Sequence, residues 1–326
     1  LPVEAELGMI SFDEGFTPLI FRDFQGYRVG LKLEYLFPTG SFKDRGASLL
    51  ISKVGELGIK EVVEDSSGNA AAAIAAYCAA CRITCHIYVP EATSLGKLTQ
   101  IRMYGARLVK VPGSREDTAR AAFEAAEKTY YASHYWNPFF FQGTKTFAFE
   151  IWEQLGWRVP HNLIIPVGHG TLLLGAYLGF QELEASGMIK KIPRIFAVQS
   201  ENCCPLFRIF HEGLTYLPQI AKKESLAEGI GISRPLRWKQ IVEAVKSSGG
   251  TFLKVSEEEI VSSLRELSQQ GFFLEPTSAV APAVLGKLIN RGLIHSSEVT
   301  IVPLTGTGLK VADKIASNIL DPSGGY

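Results

Sequence analysis

Short apolar runs alternate with helical periods along most of this chain. Glu61–Ser67 (EVVEDSS) reads as a strand ahead of a helix starting near Asn69. Ile83–Pro90 (ITCHIYVP) is a β-rich run leading into a helix over Ser94–Tyr104. Ala106–Pro112 (ARLVKVP) follows, and Ser114 then opens a helix with Glu116 and Asp117 in its first turn. Three strand–helix units in about 70 residues predict a parallel sheet with helices packed on it and right-handed crossovers.

A second series follows a less regular stretch near Tyr130–Gly143, where Phe139–Phe141 read as strand. Asn162–Val167 (NLIIPV) has the continuous apolar character of a buried strand, followed by a glycine-rich turn and a helix to about Ser186. Ile195–Gln199 and Thr251–Val255 are further strands, and Ser256 with three glutamates marks a helix start. Val299–Leu304 (VTIVPL) meets another glycine-rich turn and a helix from Leu309. His211–Trp238 reads mainly as loops and short helices. The expected architecture is α/β, with two lobes built on mostly parallel sheets.

Composition narrows the partners. Lys+Arg and Asp+Glu each number 33, which argues against a broad basic surface for nucleic acid. A small anion needs only a few donors and stays open. The longest apolar stretch, Ala70–Cys81, spans 12 residues, short of the roughly 20 a membrane helix needs. Glu4, Glu6, Asp13 and Glu14 interrupt any signal-like start, and the chain begins at Leu1 rather than Met, so more N-terminal sequence is expected. Five cysteines point to free thiols in a reducing, cytoplasmic setting. Cys78 and Cys81 form a C-x-x-C with no second pair, so buried thiols fit better than a metal site.

Four turns lie where open α/β sheets gather ligands, at the carboxyl ends of strands or the starts of helices. In Pro38–Gly46 (PTGSFKDRG), Lys43 sits at a helix start beside Arg45. Both influences disfavour its ammonium form and raise its nucleophilicity, although a solvated helix-start lysine is the plainer reading. Ser66-Ser67-Gly68-Asn69-Ala70 offers small donors for a carboxylate, or a simple cap by Ser67 or Asn69. Gly168-His169-Gly170-Thr171-Leu172 could turn free N–H groups toward a phosphate, but it is neither a P-loop nor a complete G-x-G-x-x-G. Thr305-Gly306-Thr307-Gly308 places a hydroxyl after the last strand, or caps a helix through Thr307.

Taken in order, these turns resemble the fold-type II pyridoxal-phosphate (PLP) enzymes of the tryptophan synthase β-like superfamily, most closely threonine synthase. Glu14-Gly15-Phe16-Thr17-Pro18-Leu19 and Glu275-Pro276-Thr277-Ser278-Ala279 fit the same pattern, which covers nearly the whole chain. The resemblance implies two α/β/α lobes with PLP in the cleft between them. Residues 46–145 would form the small, substrate-side domain, and residues 1–45 with 146–326 the large one. It implies that Lys43 carries PLP as a Schiff base and later moves the Cα proton. Asn69 would bond the cofactor's 3-oxygen, Gly168, His169, Gly170, Thr171 and Leu172 its phosphate, and Thr305 its pyridine nitrogen. Ser66, Ser67 and Ala70 would hold the substrate carboxylate. A homodimer acting on a small amino acid is the implied assembly, with no metal.

The resemblance departs at the expected grip on a phosphorylated substrate. Around Asn137-Pro138, His134 and Tyr135 stand where a polar pair is expected, and Phe140 where an arginine is expected. Phenylalanine cannot replace a bidentate anion contact. Thr307 occupies the place of a histidine common in the family. Elimination or replacement at Cβ or Cγ is the expected chemistry. Conversion of O-phosphohomoserine to threonine is the nearest activity; a serine/threonine dehydratase or a cysteine- or cysteate-synthase-like enzyme is the alternative. A PLP-binding regulatory paralogue is the non-enzyme alternative, and a dehydrogenase is disfavoured because no complete dinucleotide fingerprint is present.

Overall fold

The computed structural model describes residues 1–4, 8–93, 95–221 and 223–320; Glu6 and Ser94, used above, lie outside the described residues. Leu1–Gly15 and Phe37–Thr144 form one compact unit, Phe16–Leu36 and Lys145–Tyr326 the other. Each unit has its own sheet. The expected division at residues 45 and 46 would fall inside a continuous helix, and the boundary lies at Leu36 and Phe37 instead.

The chain opens with an antiparallel hairpin of β1 (Leu19–Phe24) and β2 (Tyr27–Lys32), which the hydrophobic pattern did not reveal. Its charged residues hide it: β1 is an edge strand largely open to solvent, and β2 ends in Lys32. Lys32 is fully buried, where an unpaired ammonium would be costly. Its Nζ donates to Glu150 Oε2 at 2.7 Å and to Gln154 Oε1 at 3.0 Å.

The first unit runs α1 (Lys43–Glu56), β3 (Glu61–Glu64), α2 (Asn69–Ala80), β4 (Thr84–Pro90), α3 (Leu95–Met103), β5 (Arg107–Val111), α4 (Arg115–Ala125), β6 (Tyr130–Tyr131) and α5 (Pro138–Thr144). Its strands are all parallel, in the order β5-β4-β3-β6. Ala70–Cys78 of α2 are buried, their small side chains fitting the helix among its neighbours.

Phe139–Phe141 lie on α5 and not on a strand. Three aromatics favour a strand, but the Asn-Pro start overrides that preference. Pro138 needs no N–H at the first helical position, and Asn137 Oδ1 accepts the Phe139 amide at 3.1 Å.

The second unit continues with α6 (Thr146–Gln154), β7 (Asn162–Pro166), α7 (Thr171–Ala185), β8 (Arg194–Ser200), α8 (Pro205–Glu212), α9 (Trp238–Ser247), β9 (Thr251–Val255) and α10 (Glu257–Gln269). The short helices α11 (Pro276–Ala279) and α12 (Leu285–Asn290) precede β10 (Thr300–Pro303) and α13 (Ala312–Ile315). The sheet order is β1-β2-β10-β7-β8-β9, parallel except for the hairpin. β7 and β10 are buried throughout. The helix expected from Leu309 is present in three joined pieces, a 3-10 turn over Gly308–Val311, the turn of α13 and a π-helical turn over Ala316–Leu320.

Helix α5 approaches α1 closely enough that a Cβ on Gly143 would lie 2.0 Å from the Arg45 carbonyl oxygen. No rotamer relieves a backbone clash. Gly143→Ala is therefore expected to lower the unfolding free energy by about 1–3 kcal/mol, read as a reduced midpoint in urea denaturation.

Candidate active site

Lys43 is the first residue of α1. Its ammonium lies 4.5 Å from the centre of the Phe42 ring and 5.9 Å from that of Phe140. Phe140 is fully buried and packs on Gly46, whose Cβ, if present, would come within 2.4 Å of the ring. The Arg45 guanidinium stacks over Phe37 at 4.8 Å. The preceding turn is fixed by buried Asp44, which accepts the Thr39 amide at 2.8 Å and the Thr39 hydroxyl. Ser41 Oγ in this turn is buried with no hydrogen-bond partner among the described residues.

The turn after β3 does not carry the simple cap. Gly68, not Ser67 or Asn69, is the N-cap of α2, which has no side-chain cap bond. Ser66 Oγ accepts the Gly68 amide at 3.2 Å, Asn69 begins the helix, and Ala70 is buried. Other helix starts are closed by side chains. Ser114 with Asp117 and Ser256 with Glu259 make full capping boxes on α4 and α10, while Gln199 Oε1 accepts the amides of Leu206 and Phe207 on α8.

His134 and Tyr135 follow β6 and reach the acidic end of β3. His134 Nδ1 lies 2.7 Å from Glu64 Oε1. Asp65 accepts the hydroxyls of Tyr131 at 2.8 Å and Tyr135 at 2.9 Å, and pairs with Arg115 Nη2 at 2.8 Å. Burial, reinforced by the neighbouring Asp65, holds the Glu64 carboxyl well above the ordinary carboxylate range. Burial likewise raises the Tyr131 and Tyr135 phenols, with Asp65 adding to it.

In the second unit, Gly168–Leu172 follows β7 and leads into α7. Gly170 has φ +76° and is the N-cap, a residue that brings no side chain of its own to this start. A Cβ on Gly170 would also lie 2.5 Å from Ile241 Cδ1, so both conformation and space require glycine. His169 is half-buried in this loop, while Thr171 and Leu172 are buried. Thr305 follows β10, the neighbour of β7, so both turns occupy the carboxyl edge of one sheet. Thr305 Oγ1 is 3.1 Å from Ser278 Oγ, which accepts the Gly306 amide at 2.9 Å. Thr307 Oγ1 accepts the Leu309 amide at 3.3 Å, closing the turn that follows.

Sequence reasoning missed Glu64, Asp65 and Arg115, although two adjacent acids after the apolar pair Val62-Val63 were a visible signal. It also passed over Ser278 as a partner of Thr305, a contact made across 27 positions of sequence.

Residues 10–306 match the family described as "Pyridoxal-phosphate dependent enzyme". The chain is 36% identical over 321 residues to the threonine synthase of Methanocaldococcus jannaschii, covering 96% of this chain and 79% of that one. It is 33% identical to the threonine synthase of Methanosarcina acetivorans, covering 95% and 78%. The processed form of threonine deaminase isoform 2 from Solanum lycopersicum shares the fold, with a TM-score of 0.80 at 22% identity, covering 95% of this chain and 84% of that one. The chain belongs to the pyridoxal-phosphate-dependent enzyme family. Among the described residues, no helix is long and apolar enough to cross a membrane.

Ser278→Ala would strip the buried Gly306 amide of its acceptor. A loss of about 1–3 kcal/mol in unfolding free energy is expected, measurable by chemical denaturation.

Proposed function

We propose that this chain is a threonine synthase-like PLP-dependent lyase or synthase that eliminates or replaces a group at Cβ or Cγ of a small amino acid. One observation carries the reading. A lysine heads α1, and two strand-to-helix turns, at α2 and α7, have glycine at the N-cap where α4 and α10 have serine.

The residues present fit the cofactor. The glycine N-cap at the start of α7 suits a phosphate, with backbone N–H groups from Gly168 to Leu172 as donors. PLP, when bound, supplies an electron sink that makes the substrate Cα–H acidic. Lys43 would hold the cofactor and serve as the base that takes the Cα proton and returns it. Asn69 would bond the cofactor's 3-oxygen. The Thr305 hydroxyl would face the pyridine nitrogen, and a hydroxyl cannot hold a full positive charge there as a carboxylate would. That favours elimination over transamination. Ser66, Ser67 and the amides through Ala70 bind the substrate carboxylate and orient Cα–H toward Lys43.

In the same reading His134, Tyr135 and Phe140 belong to the substrate side, the first unit serves the substrate, and the enzyme is a cytoplasmic homodimer. Phe140 favours the second reading, a serine/threonine dehydratase or a β-replacement synthase, because its buried ring brings no charge where threonine synthases carry an arginine.

Protein supplied with PLP should show a visible absorption band that Lys43→Ala loses, with turnover falling by about 10²–10⁴-fold. Release of phosphate and threonine from O-phosphohomoserine would support the synthase. Formation of a 2-oxo acid from serine or threonine alone would support the dehydratase. If the wild-type protein never forms the band, the reading fails.

A further inference from the structure

The acidic end of β3 is more than a structural ion pair. Asp65 is fully engaged by Tyr131, Tyr135 and Arg115 Nη2. Glu64 spends Oε1 on His134, while Glu64 Oε2 and Arg115 Nη1 are buried without a partner among the described residues. Ser133 Oγ is in the same condition, on a residue that is fully buried. The Ala132 amide donates to the Val63 carbonyl at 2.9 Å, which lays residues 132–134 alongside residues 63–65. Two of the unsatisfied groups, Glu64 Oε2 and Ser133 Oγ, therefore lie on adjacent chain segments, and the ion pair with Asp65 ties Arg115 to the same strand end. Native proteins rarely leave such groups without an explanation.

We propose that Glu64, Arg115 and Ser133 receive the side-chain oxygen of the substrate, and that this oxygen is a hydroxyl and not a phosphate ester. The inference rests on the proposed function and names the substrate class within it: a small amino acid with a free hydroxyl at Cβ or Cγ.

Position, hydrogen-bond complementarity and charge support the assignment. Glu64 and Asp65 directly precede Ser66, where the turn proposed for the substrate carboxylate begins. A hydroxyl donates one hydrogen bond and accepts two. Glu64, whose buried carboxyl keeps its proton, can donate through Oε2, as can Arg115 Nη1, to its two lone pairs, while Ser133 Oγ accepts its proton. A phosphate monoester would bring its negative charge beside Asp65. The adjacent guanidinium is already committed to Asp65, and Phe140 adds no cation.

The test uses the PLP-loaded enzyme, titrated separately with L-serine, L-threonine, L-homoserine and O-phosphohomoserine. Binding is read from the shift of the cofactor band, and turnover from 2-oxo acid and phosphate. At least one hydroxy amino acid should bind saturably and react, with O-phosphohomoserine at least about tenfold weaker. Ser133→Ala and the isosteric Glu64→Gln should each raise KM for the hydroxy substrate by about tenfold without changing the resting cofactor band. Tighter binding of O-phosphohomoserine than homoserine would overturn the proposal. So would silence with all three hydroxy amino acids, or variants that lower stability while leaving KM unchanged. Absence of the cofactor band would instead overturn the underlying functional reading.

Discussion

The first backbone N–H groups of an α-helix have no partner within the helix, and something else must accept them. Five helix starts of this protein show two different answers to that demand. Where α4, α8 and α10 begin, the chain closes the amides with Ser114, Gln199 and Ser256. Where α2 and α7 begin, the N-cap is glycine and contributes no side chain. In the proposed function these two starts supply backbone N–H groups to a phosphate and a carboxylate, a role that needs no excess of positive charge.

Parallel sheets make this arrangement available. Each crossover returns the chain so that successive strand ends share one edge, and in the second unit the turns after β7 and β10 come from neighbouring strands. The first unit gathers the turn after β3, the start of α4 after β5 and the segment after β6 in the same manner. Glu64, Asp65, Arg115, His134 and Tyr135 meet for that reason despite their separation in sequence. Their chemistry is acidic and hydroxyl-rich. That character distinguishes this chain from the phosphate-gripping pattern that its resemblance to threonine synthase implies.

Much of this was legible in the sequence because periodicity and glycine punctuation report local structure. The strands at Asn162–Pro166 and Thr300–Pro303 are continuous apolar runs, and the Ser114 and Ser256 starts carry their own caps. The hairpin β1–β2 was hidden because its edge strand is only partly buried, and because the partners that let Lys32 be buried, the Thr17 carbonyl, Glu150 and Gln154, lie elsewhere in the chain. Helix α5 was misread because aromatic strand preference yields to an Asn-Pro start. The Ser278–Thr305 contact and the Glu64 cluster depend on tertiary proximity, which no local pattern encodes.

The central claim is that the lysine at the head of α1 carries the cofactor. Borohydride reduction of the PLP-loaded protein, followed by proteolysis and peptide mass mapping, addresses it directly. The account predicts one phosphopyridoxyl label, on the peptide containing Lys43. A label on any other lysine, or none after reduction, would contradict it.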